Sequence, residues 1–372
     1  MAHDLQNPRT KKYSKLKSIL VNFELFLKKS FLFFFVLLNF FFHTRKKKYI
    51  DIDNYKNKDN RFINYLFFSL KKKYNFSYNL SFSALDFVKK IGIKNFIFYS
   101  TPNFLIKKDK KIKFYLNNKN HNSNELNFNT NYFKKNKDNH LYLPYYIYPK
   151  LYNNDYPNLA KLKINKKTIK IFFSGSTNKE VYGKFIWYDN NGNKLLNRVE
   201  IIDFIVDNFK EKIFFLNSYK DLNKINTIET PIVLSINDGL IKKSKSNLTN
   251  KEHFEIISKS EFLLTAPGAD MPICHHLIEG IKMKSIPISN YADLHQPIIP
   301  KDVYLNFTDS HSLKDAINNA LTMEDKDINL KQQHLDKFYE QKLSPSSFLE
   351  SFEHRKSNEI IACNDVESLR WL

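Results

Sequence analysis

The residue types best suited to chemistry lie together in APGADMPICHHLIEG, residues 266–280. Cys274, His275, His276 and Glu279 are all types that bind metal ions, and in a helix both histidines would share a face with the glutamate. Cys274 would point elsewhere, and the sequence has no second cluster with the ligand spacing of a zinc site. We therefore expect no bound metal in this stretch.

The same stretch also has the layout of a phosphate site. EFLLTAPG at 261–268 predicts a strand that ends in a turn, and PICHHLIEGIKMK at 272–284 predicts a helix with Pro272 at its first position. Gly268 would let the backbone approach a phosphate, and the helix N–H groups would supply positive potential. Neither GxGxxG nor GxxxxGK followed by Ser or Thr occurs in the sequence. A structural interpretation, with Cys274 and one histidine packed in the core, stays open.

Strands and helices alternate along most of the chain. From residue 48 the pattern predicts strands at 48–52, 64–70, 94–100 and 111–116, a helix at 81–92 and extended chain at 140–149. From residue 168 it predicts strands at 168–176, 212–218, 230–236, 261–268, 285–289 and 303–309, with helices at 197–209, 249–260, 272–284 and 312–321. Such alternation predicts an α/β fold with parallel sheets covered on both faces.

Two such series separated by a polar linker predict two Rossmann-like domains that face a cleft. The expected parts are an apolar and basic segment at 1–47, a first domain at 48–160, a second domain at 161–325 and a helical tail at 326–372. Residues 117–139 are rich in asparagine and aperiodic, which predicts a surface loop or insertion in the first domain. Ser344 and Pro345 would open the last helix of the tail.

The net charge of +21 does not by itself indicate a nucleic-acid partner. Of the 59 basic residues only six are arginine, at positions 9, 45, 61, 198, 355 and 370, whereas a nucleic-acid surface would more often favour arginine. The excess of lysine, asparagine, isoleucine and aromatic residues is typical of drift in an AT-rich genome. We expect no nucleic-acid partner, with an anionic surface as the alternative. Two cysteines cannot support a disulfide framework and favour a reducing compartment.

An apolar block at 19–42 could contact a membrane. Lys28 and Lys29 interrupt it, so the clean apolar run is shorter than the roughly 20 residues that a bilayer-spanning helix needs. No small-residue cleavage site follows, which argues against a signal peptide. The block could be an interfacial segment, a short signal anchor or a buried helix. We expect peripheral contact, with the protein in the cytoplasm and on the inner face of a membrane.

Several motifs occur in an order that resembles a known family. A helix ending in ISKSEF (257–262) is followed by a strand, a Pro267-Gly268 turn, a helix that carries Glu279, and the strand SIPI. This order resembles the nucleotide-sugar motif of GT-B glycosyltransferases, and in particular of the exostosin-like family, the GT47 type. IKIFFSGS, with Phe173 and Gly175, resembles an apolar strand of that family. Arg198 stands where the family has an arginine at the start of the next helix, and YLPYYIYP resembles the strand before the second domain. The resemblance covers about 140–325.

The resemblance implies inverting, metal-independent transfer of a sugar from a nucleotide-sugar donor to a glycan or lipid-linked acceptor, without a cofactor. The second domain would bind the donor and the first domain the acceptor. It implies that Glu279 holds the ribose hydroxyls, that Gly268 and the loop after it meet the diphosphate, and that Arg198 offsets charge on the leaving nucleotide. The residues expected to bind the nucleotide-sugar are Ser174, Gly175, Arg198, Pro267, Gly268, His276 and Glu279.

Two positions depart from the family pattern. His276 replaces an arginine, and a histidine would donate to a phosphate best when protonated. Lys284 replaces a glycine, and a lysine in a left-handed conformation costs about 1 kcal/mol or more. The catalytic base is not identified. Asp270 lies in the appropriate loop and is a candidate, although capping of the helix opened by Pro272 is the alternative role.

Three other functions fit the sequence. One is a different GT-B enzyme, of the fucosyltransferase or heptosyltransferase type. Another is a non-catalytic basic α/β protein that binds nucleic acid or membrane, for which salt-sensitive binding would be expected. The third is a degenerate transferase that has lost activity together with the arginine at 276 and the glycine at 284.

Overall fold

The computed structural model describes residues 49–51, 61–78, 100–102, 111–116, 125–133, 140–147, 151, 167–225, 229–239 and 248–363. The chain divides into one compact unit of Met1–Lys56 with Lys73–Lys113, and a second of Asn57–Lys72 with Phe114–Leu372. The apolar block at 19–42, the helix predicted at 81–92 and most of the strand predicted at 94–100 lie outside the described residues. Within the described parts, none of the helices has both the length and the apolar character that a bilayer crossing requires.

Parallel strands form the described part of the first unit. Their order is β3-β2-β1-β4, with β1 at Tyr49–Asp51, β2 at Asn75–Tyr78, β3 at Ser100–Pro102 and β4 at Lys111–Leu116, whose first residues pair with β1. Ile50 and Phe76 are both fully buried, as expected for strands covered on both faces. The strands predicted at 48–52 and 111–116 are confirmed.

The strand predicted at 64–70 is wrong, because these residues belong to helix α1, Arg61–Leu70, in the second unit. Every residue from 64 to 70 is buried. The hydroxyl of Tyr65 donates to the carbonyl oxygens of Leu343 and Ser344 at 3.0 and 2.9 Å. A helix enclosed on all sides has a continuous apolar sequence, and such a sequence has no period that separates it from a buried strand.

Three neighbouring parallel strands of the second unit overturn part of another prediction. Their order is β5-β13-β6, with β5 at Glu125–Asn129, β6 at Leu141–Tyr142 and β13 at Glu359–Ile361. Strand β5 lies inside the segment 117–139 that was expected to be a surface loop, and Leu126 and Phe128 are both 1% exposed. Asn129 Nδ2 donates to Glu359 Oε1 at 2.7 Å. The tail therefore contains a strand as well as helices.

The larger sheet of the second unit has six parallel strands in the order β12-β11-β10-β7-β9-β8. Their bounds are Ile169–Thr177 (β7), Ile213–Phe215 (β8), Ile232–Gly239 (β9), Ser260–Leu264 (β10), Ile286–Ser289 (β11) and Leu305–Asn306 (β12). Buried Ile, Leu, Val and Phe side chains fill its interior. Parallel strands accompanied by helices confirm the predicted α/β class.

The helices of the second unit follow the predicted series closely. They are Lys179–Tyr182 (α2), Arg198–Asn208 (α3), Asn250–Lys259 (α4), His275–Lys282 (α5), Ser310–Thr322 (α6), Asp325–Phe338 (α7) and Pro345–Glu353 (α8), with a π-helical turn at Tyr339–Leu343. The capping boxes predicted at Asn197 and Thr249 are confirmed, and Ser344 caps α8 with Pro345 at its first position. Helix α6 was predicted to begin at 312, but it begins at Ser310 and is capped by Asp309.

The order of the large sheet reverses at β7. From β7 the chain continues to β8 and β9 on one side, and then crosses to β10, β11 and β12 on the other side. In open α/β sheets such a reversal opens a crevice at the carboxyl ends of the two central strands, here β7 and β10. The strands thus place the end of β7 and the loop after β10 beside one another.

Helix α5 ends with Lys284 in the left-handed conformation, despite the cost that this has for a lysine. This residue has φ 56°, in the left-handed region, and it is the only non-glycine residue of the described chain with positive φ. Lys284 N–H donates to Ile281 O at 3.1 Å and Ser285 N–H donates to Gly280 O at 2.9 Å, the bonds of a Schellman motif. Lys284 Nζ also lies 2.8 Å from Asp336 Oδ2. The strained residue is therefore held by the motif and by an ion pair.

We predict that Lys284→Gly raises the free energy of unfolding by about 0.5–1 kcal/mol, because glycine adopts the left-handed conformation without the β-carbon clash. Loss of the partly exposed ion pair with Asp336 offsets only a little of this gain. Chemical denaturation would measure it. Lys284→Ala is the control, since it removes the ion pair and keeps the strain. An equal gain in both variants would contradict the explanation.

Candidate functional site

The candidate site lies at the carboxyl ends of β7 and β10. Helices α3, α4 and α5 each follow a strand and run back along the sheet, so their first turns lie at this edge. The backbone N–H groups of a first helical turn carry partial positive charge and attract anions. Arg198 is the first residue of α3, His253 lies in the first turn and a half of α4, and His275 is the first residue of α5.

The Arg198 side chain is buried, with 5% of its surface exposed. Its guanidinium carbon lies 4.0 Å from the centre of the Tyr182 ring. Nη1 donates to Ser176 O over a long 3.5 Å, and Nη2 lies 3.9 Å from Cys274 Sγ. Among the described residues, Nε has no hydrogen-bond partner and no carboxylate forms an ion pair with the guanidinium. A buried cation with so few acceptors is a strong binding group for an anion.

Gly175 allows Arg198 to approach the strand end. A β-carbon built on Gly175 would lie 3.2 Å from Arg198 Nη1 and 3.3 Å from Phe173 Cζ. Any larger residue would push the guanidinium away from β7. Ser174, predicted with Gly175 as a binding residue, is buried within β7 and pairs in register with Ser235 of β9.

The loop between β10 and α5 folds back on itself. Pro267 is buried and Gly268 half-buried, and a β-carbon on Gly268 would lie 2.8 Å from Met271 O and 3.2 Å from Ile273 O. Gly268 N–H donates to Pro272 O at 3.4 Å. The close approach that requires glycine here is thus to the loop's own carbonyl groups.

The helix predicted to begin at Pro272 begins at His275, so that prediction is wrong. Cys274 is the N-cap residue and its side chain makes no capping hydrogen bond. Pro272 lies in the loop, where its fixed φ shapes the turn rather than the first helical residue. Asp270 is exposed in the same loop and does not cap the helix, which corrects its alternative role.

Three histidines surround Glu279. Glu279 is fully buried, and its Oε2 lies 3.0 Å from Nδ1 of His275, one turn earlier on α5. The ring centres of His275 and His276 lie 4.4 Å apart, and those of His253 and His276 lie 5.2 Å apart. Because Glu279 is fully buried, its carboxylate is not open to a ligand in this arrangement. His253 comes from α4 and was not a predicted site residue.

Burial keeps two of these imidazoles neutral. Burial lowers the pKa of His253 to about 4, and the His275 charge adds to the effect while Glu279 opposes it. Burial also holds the pKa of His276 well below its usual value, with further contributions from His275, His253 and Arg198. His276 would therefore be neutral at pH 7 and could offer a phosphate one N–H donor.

A fourth histidine, His295, adjoins the loop and is buried. His295 is 1% exposed, and its ring centre lies 5.7 Å from that of Tyr145 and 5.8 Å from that of Tyr291. Neither ring nitrogen has a hydrogen-bond partner among the described residues, and burial lowers the pKa of His295 to about 3. The Tyr145 hydroxyl lies 3.2 Å from Met271 Sδ. Tyr145 of the YLPYYIYP motif thus packs against the loop after β10.

Comparisons with known proteins do not identify a family for this chain. No protein-family model matches the sequence, and no curated protein matches it. Among solved structures, an E. coli trehalose-6-phosphate protein bound with UDP-2-fluoro glucose aligns with a TM-score of 0.32 and 12% identity, over 56% of this chain and 46% of that one. The N-terminal domain of Candida albicans trehalose-6-phosphate phosphatase aligns with a TM-score of 0.32 and 10% identity, over 92% of this chain and 76% of that one. An α1,3-fucosyltransferase aligns with a TM-score of 0.33 and 13% identity, over 85% of this chain and 93% of that one. The chain spans less than half the length of the first of these proteins. All these TM-scores are below 0.5, so the alignments carry no argument about function.

We predict that acid destabilises the protein and that His295→Phe reduces the effect. The pKa of His295 is about 3 in the folded chain and about 6.5 in the unfolded chain. Between these values the unfolded state binds the extra proton, so stability present above pH 6.5 is lost as the pH falls toward 3, by a few kcal/mol. Phenylalanine does not titrate and removes two unpaired buried nitrogens.

Thermal unfolding of both proteins from pH 7 to pH 4 would measure this difference. We expect a shallower loss for His295→Phe and a higher melting temperature at pH 7. Equal slopes for the two proteins would contradict the account of His295.

Proposed function

We propose that this protein is a glycosyltransferase of the GT-B type that transfers a sugar from a nucleotide-sugar donor to a glycan or lipid-linked acceptor with inversion. The observation that carries the proposal is the buried Arg198 guanidinium at the β7–β10 switch point, whose Nε has no hydrogen-bond partner among the described residues. A diphosphate is the chemical group that best matches a planar cation beside the first turns of several helices.

Arg198 would act chiefly on the leaving group. As the sugar departs, negative charge builds up on the diphosphate, and a cation fixed in a water-poor site stabilises that charge without reorganising. Packing on Tyr182 and against Gly175 fixes the guanidinium in this way. In this proposal Arg198, the start of α5 and the loop of Pro267 and Gly268 hold the diphosphate. Glu279 accepts the ribose hydroxyls once His275 has moved.

Inverting transfer also needs a base that takes the proton of the acceptor hydroxyl. Asp270 is exposed in the loop after β10 and is our candidate for this base. The sugar carried by a diphosphate at Arg198 would lie along the same loop, where the Asp270 carboxylate could reach an acceptor hydroxyl.

An exposed apolar surface after β7 supports a glycan acceptor. Val181, Phe185, Ile186 and Tyr188 expose between 42% and 56% of their surface. The rings of Phe185 and Trp187 are stacked, with centres 5.6 Å apart. These residues lie on both sides of Tyr182 in the sequence, and Tyr182 packs on Arg198. Exposed apolar patches mark binding sites, and flat aromatic faces suit the apolar faces of sugar rings.

We further propose that the protein is cytoplasmic and contacts the inner face of a membrane through 19–42.

The donor can be identified by thermal unfolding with UDP-, GDP-, CMP- and ADP-sugars. A donor bound by the folded chain raises the melting temperature by mass action. We expect one nucleotide class to do so, and Arg198→Lys to weaken its affinity by about 10-fold or more, because lysine cannot form the two-pronged contact. Arg355→Lys is the matched control, since Arg355 also packs on an aromatic ring, that of Phe352 at 4.1 Å.

Two results would count against the proposal. If no donor shifts the melting temperature of the folded protein, the transferase function is wrong. If Arg198→Lys and Arg355→Lys bind the donor equally well, Arg198 is not the diphosphate contact. Salt-sensitive binding of nucleic acid without donor binding would favour the non-catalytic alternative.

A further inference from the structure

Two helices bring metal-ligating atoms together that are distant in sequence. One ring nitrogen each from His253 and His276 and a carboxylate oxygen of Glu279 all lie within 4.8 Å of one another. In the described residues this is the one group of three or more such side chains close enough to hold a metal ion. His253 comes from α4, whereas the other two come from α5, where they are three residues apart and share a face.

The chemistry of these ligands suits a transition metal. Two imidazoles and one carboxylate form a donor set used for Zn²⁺, with one coordination position left for water. Imidazole nitrogens bind a metal only when they are neutral. At pH 7 an ordinary imidazole is mostly neutral.

The surrounding charges have opposite effects on a bound cation. The Glu279 carboxylate is fully buried and attracts it. The guanidinium of Arg198 from α3 faces the same cluster and opposes a cation, and His275 from α5 would do so only when protonated. His275 Nδ1 lies 3.0 Å from Glu279 Oε2, which is the position of an outer partner that orients a ligating carboxylate.

We propose that His253, His276 and Glu279 bind a first-row transition-metal dication, with Zn²⁺ preferred, and that His275 orients the Glu279 carboxylate. Tetrahedral Zn²⁺ with bonds of about 2.0–2.1 Å places its ligand atoms about 3.4 Å apart. Small side-chain rotations would therefore close the site around the ion. The metal would link the start of α4 to the start of α5. It would occupy the carboxylate that the proposed ribose contact also needs, so the two would exclude one another.

The test uses the untagged full-length protein, treated with chelator and titrated with Co²⁺ alone, with Zn²⁺ then added as competitor. We expect saturable visible absorption typical of Co²⁺ bound by nitrogen and oxygen at low coordination number, displaced by one equivalent of Zn²⁺. His253→Ala and His276→Ala should each weaken Zn²⁺ binding by about 100-fold or more, and His275→Ala by about 10–100-fold, as for an outer partner. No donor is present, so failure of the proposed transferase function would not affect the result.

Matched variants keep the test decisive. His311→Ala removes a histidine that forms the same i,i+4 pair with a carboxylate, Asp315, but is exposed, and it should leave the affinity unchanged. Cys274→Ser should also leave it unchanged. His253→Gln, of similar size, covers the case in which His253→Ala fails to fold, as judged by circular dichroism. No saturable binding by the wild-type protein, equal binding by folded His253 variants and wild type, or a loss confined to Cys274→Ser would each overturn the proposal.

Discussion

Burial of the Arg198 guanidinium at the end of β7 is the constraint on which the site depends. A buried charge without a close counter-charge costs several kcal/mol, and the chain meets this cost with specific local structure. Gly175 leaves room for Nη1, and Tyr182 covers the guanidinium face. The capping box of Asn197 and Glu200 fixes the start of α3, and thereby the direction from which the arginine enters. A fold that keeps a cation in this state suits a protein whose ligand is an anion.

The fold of the second unit was largely predictable from sequence because its signals are local. Capping boxes at Asn197 and Thr249 and apolar strands at fixed intervals marked most elements of the six-stranded sheet. Predictions failed where the deciding partner is distant. Helix α1 is enclosed on all sides, so its sequence is apolar throughout and shows no helical period of polar and apolar residues. Strand β5 is stabilised by β13, which follows it by more than 200 residues in the sequence. No window along the sequence contains both strands.

The candidate site was predictable in part for the same reason. The loop of Pro267 and Gly268 was identified by its place after an apolar strand, and Arg198 and Gly175 by the resemblance of the motif order to a glycosyltransferase family. The strand order brings them to one edge of the sheet. The start of α5 was misplaced because proline is common both at a first helical position and in a preceding turn. The sequence indicated a role for His253 only weakly, by its position in the first turns of a capped helix. Its proximity to His276 arises from the packing of two helices, which the sequence does not show.

A crystal structure with bound UDP, or with the nucleotide of whichever donor binds, tests the central claim most directly. The account predicts the diphosphate at the carboxyl ends of β7 and β10, with an oxygen about 2.7–2.9 Å from the Arg198 guanidinium. A nucleotide bound elsewhere on the chain, or one at this edge that leaves Arg198 without a phosphate contact, would contradict it.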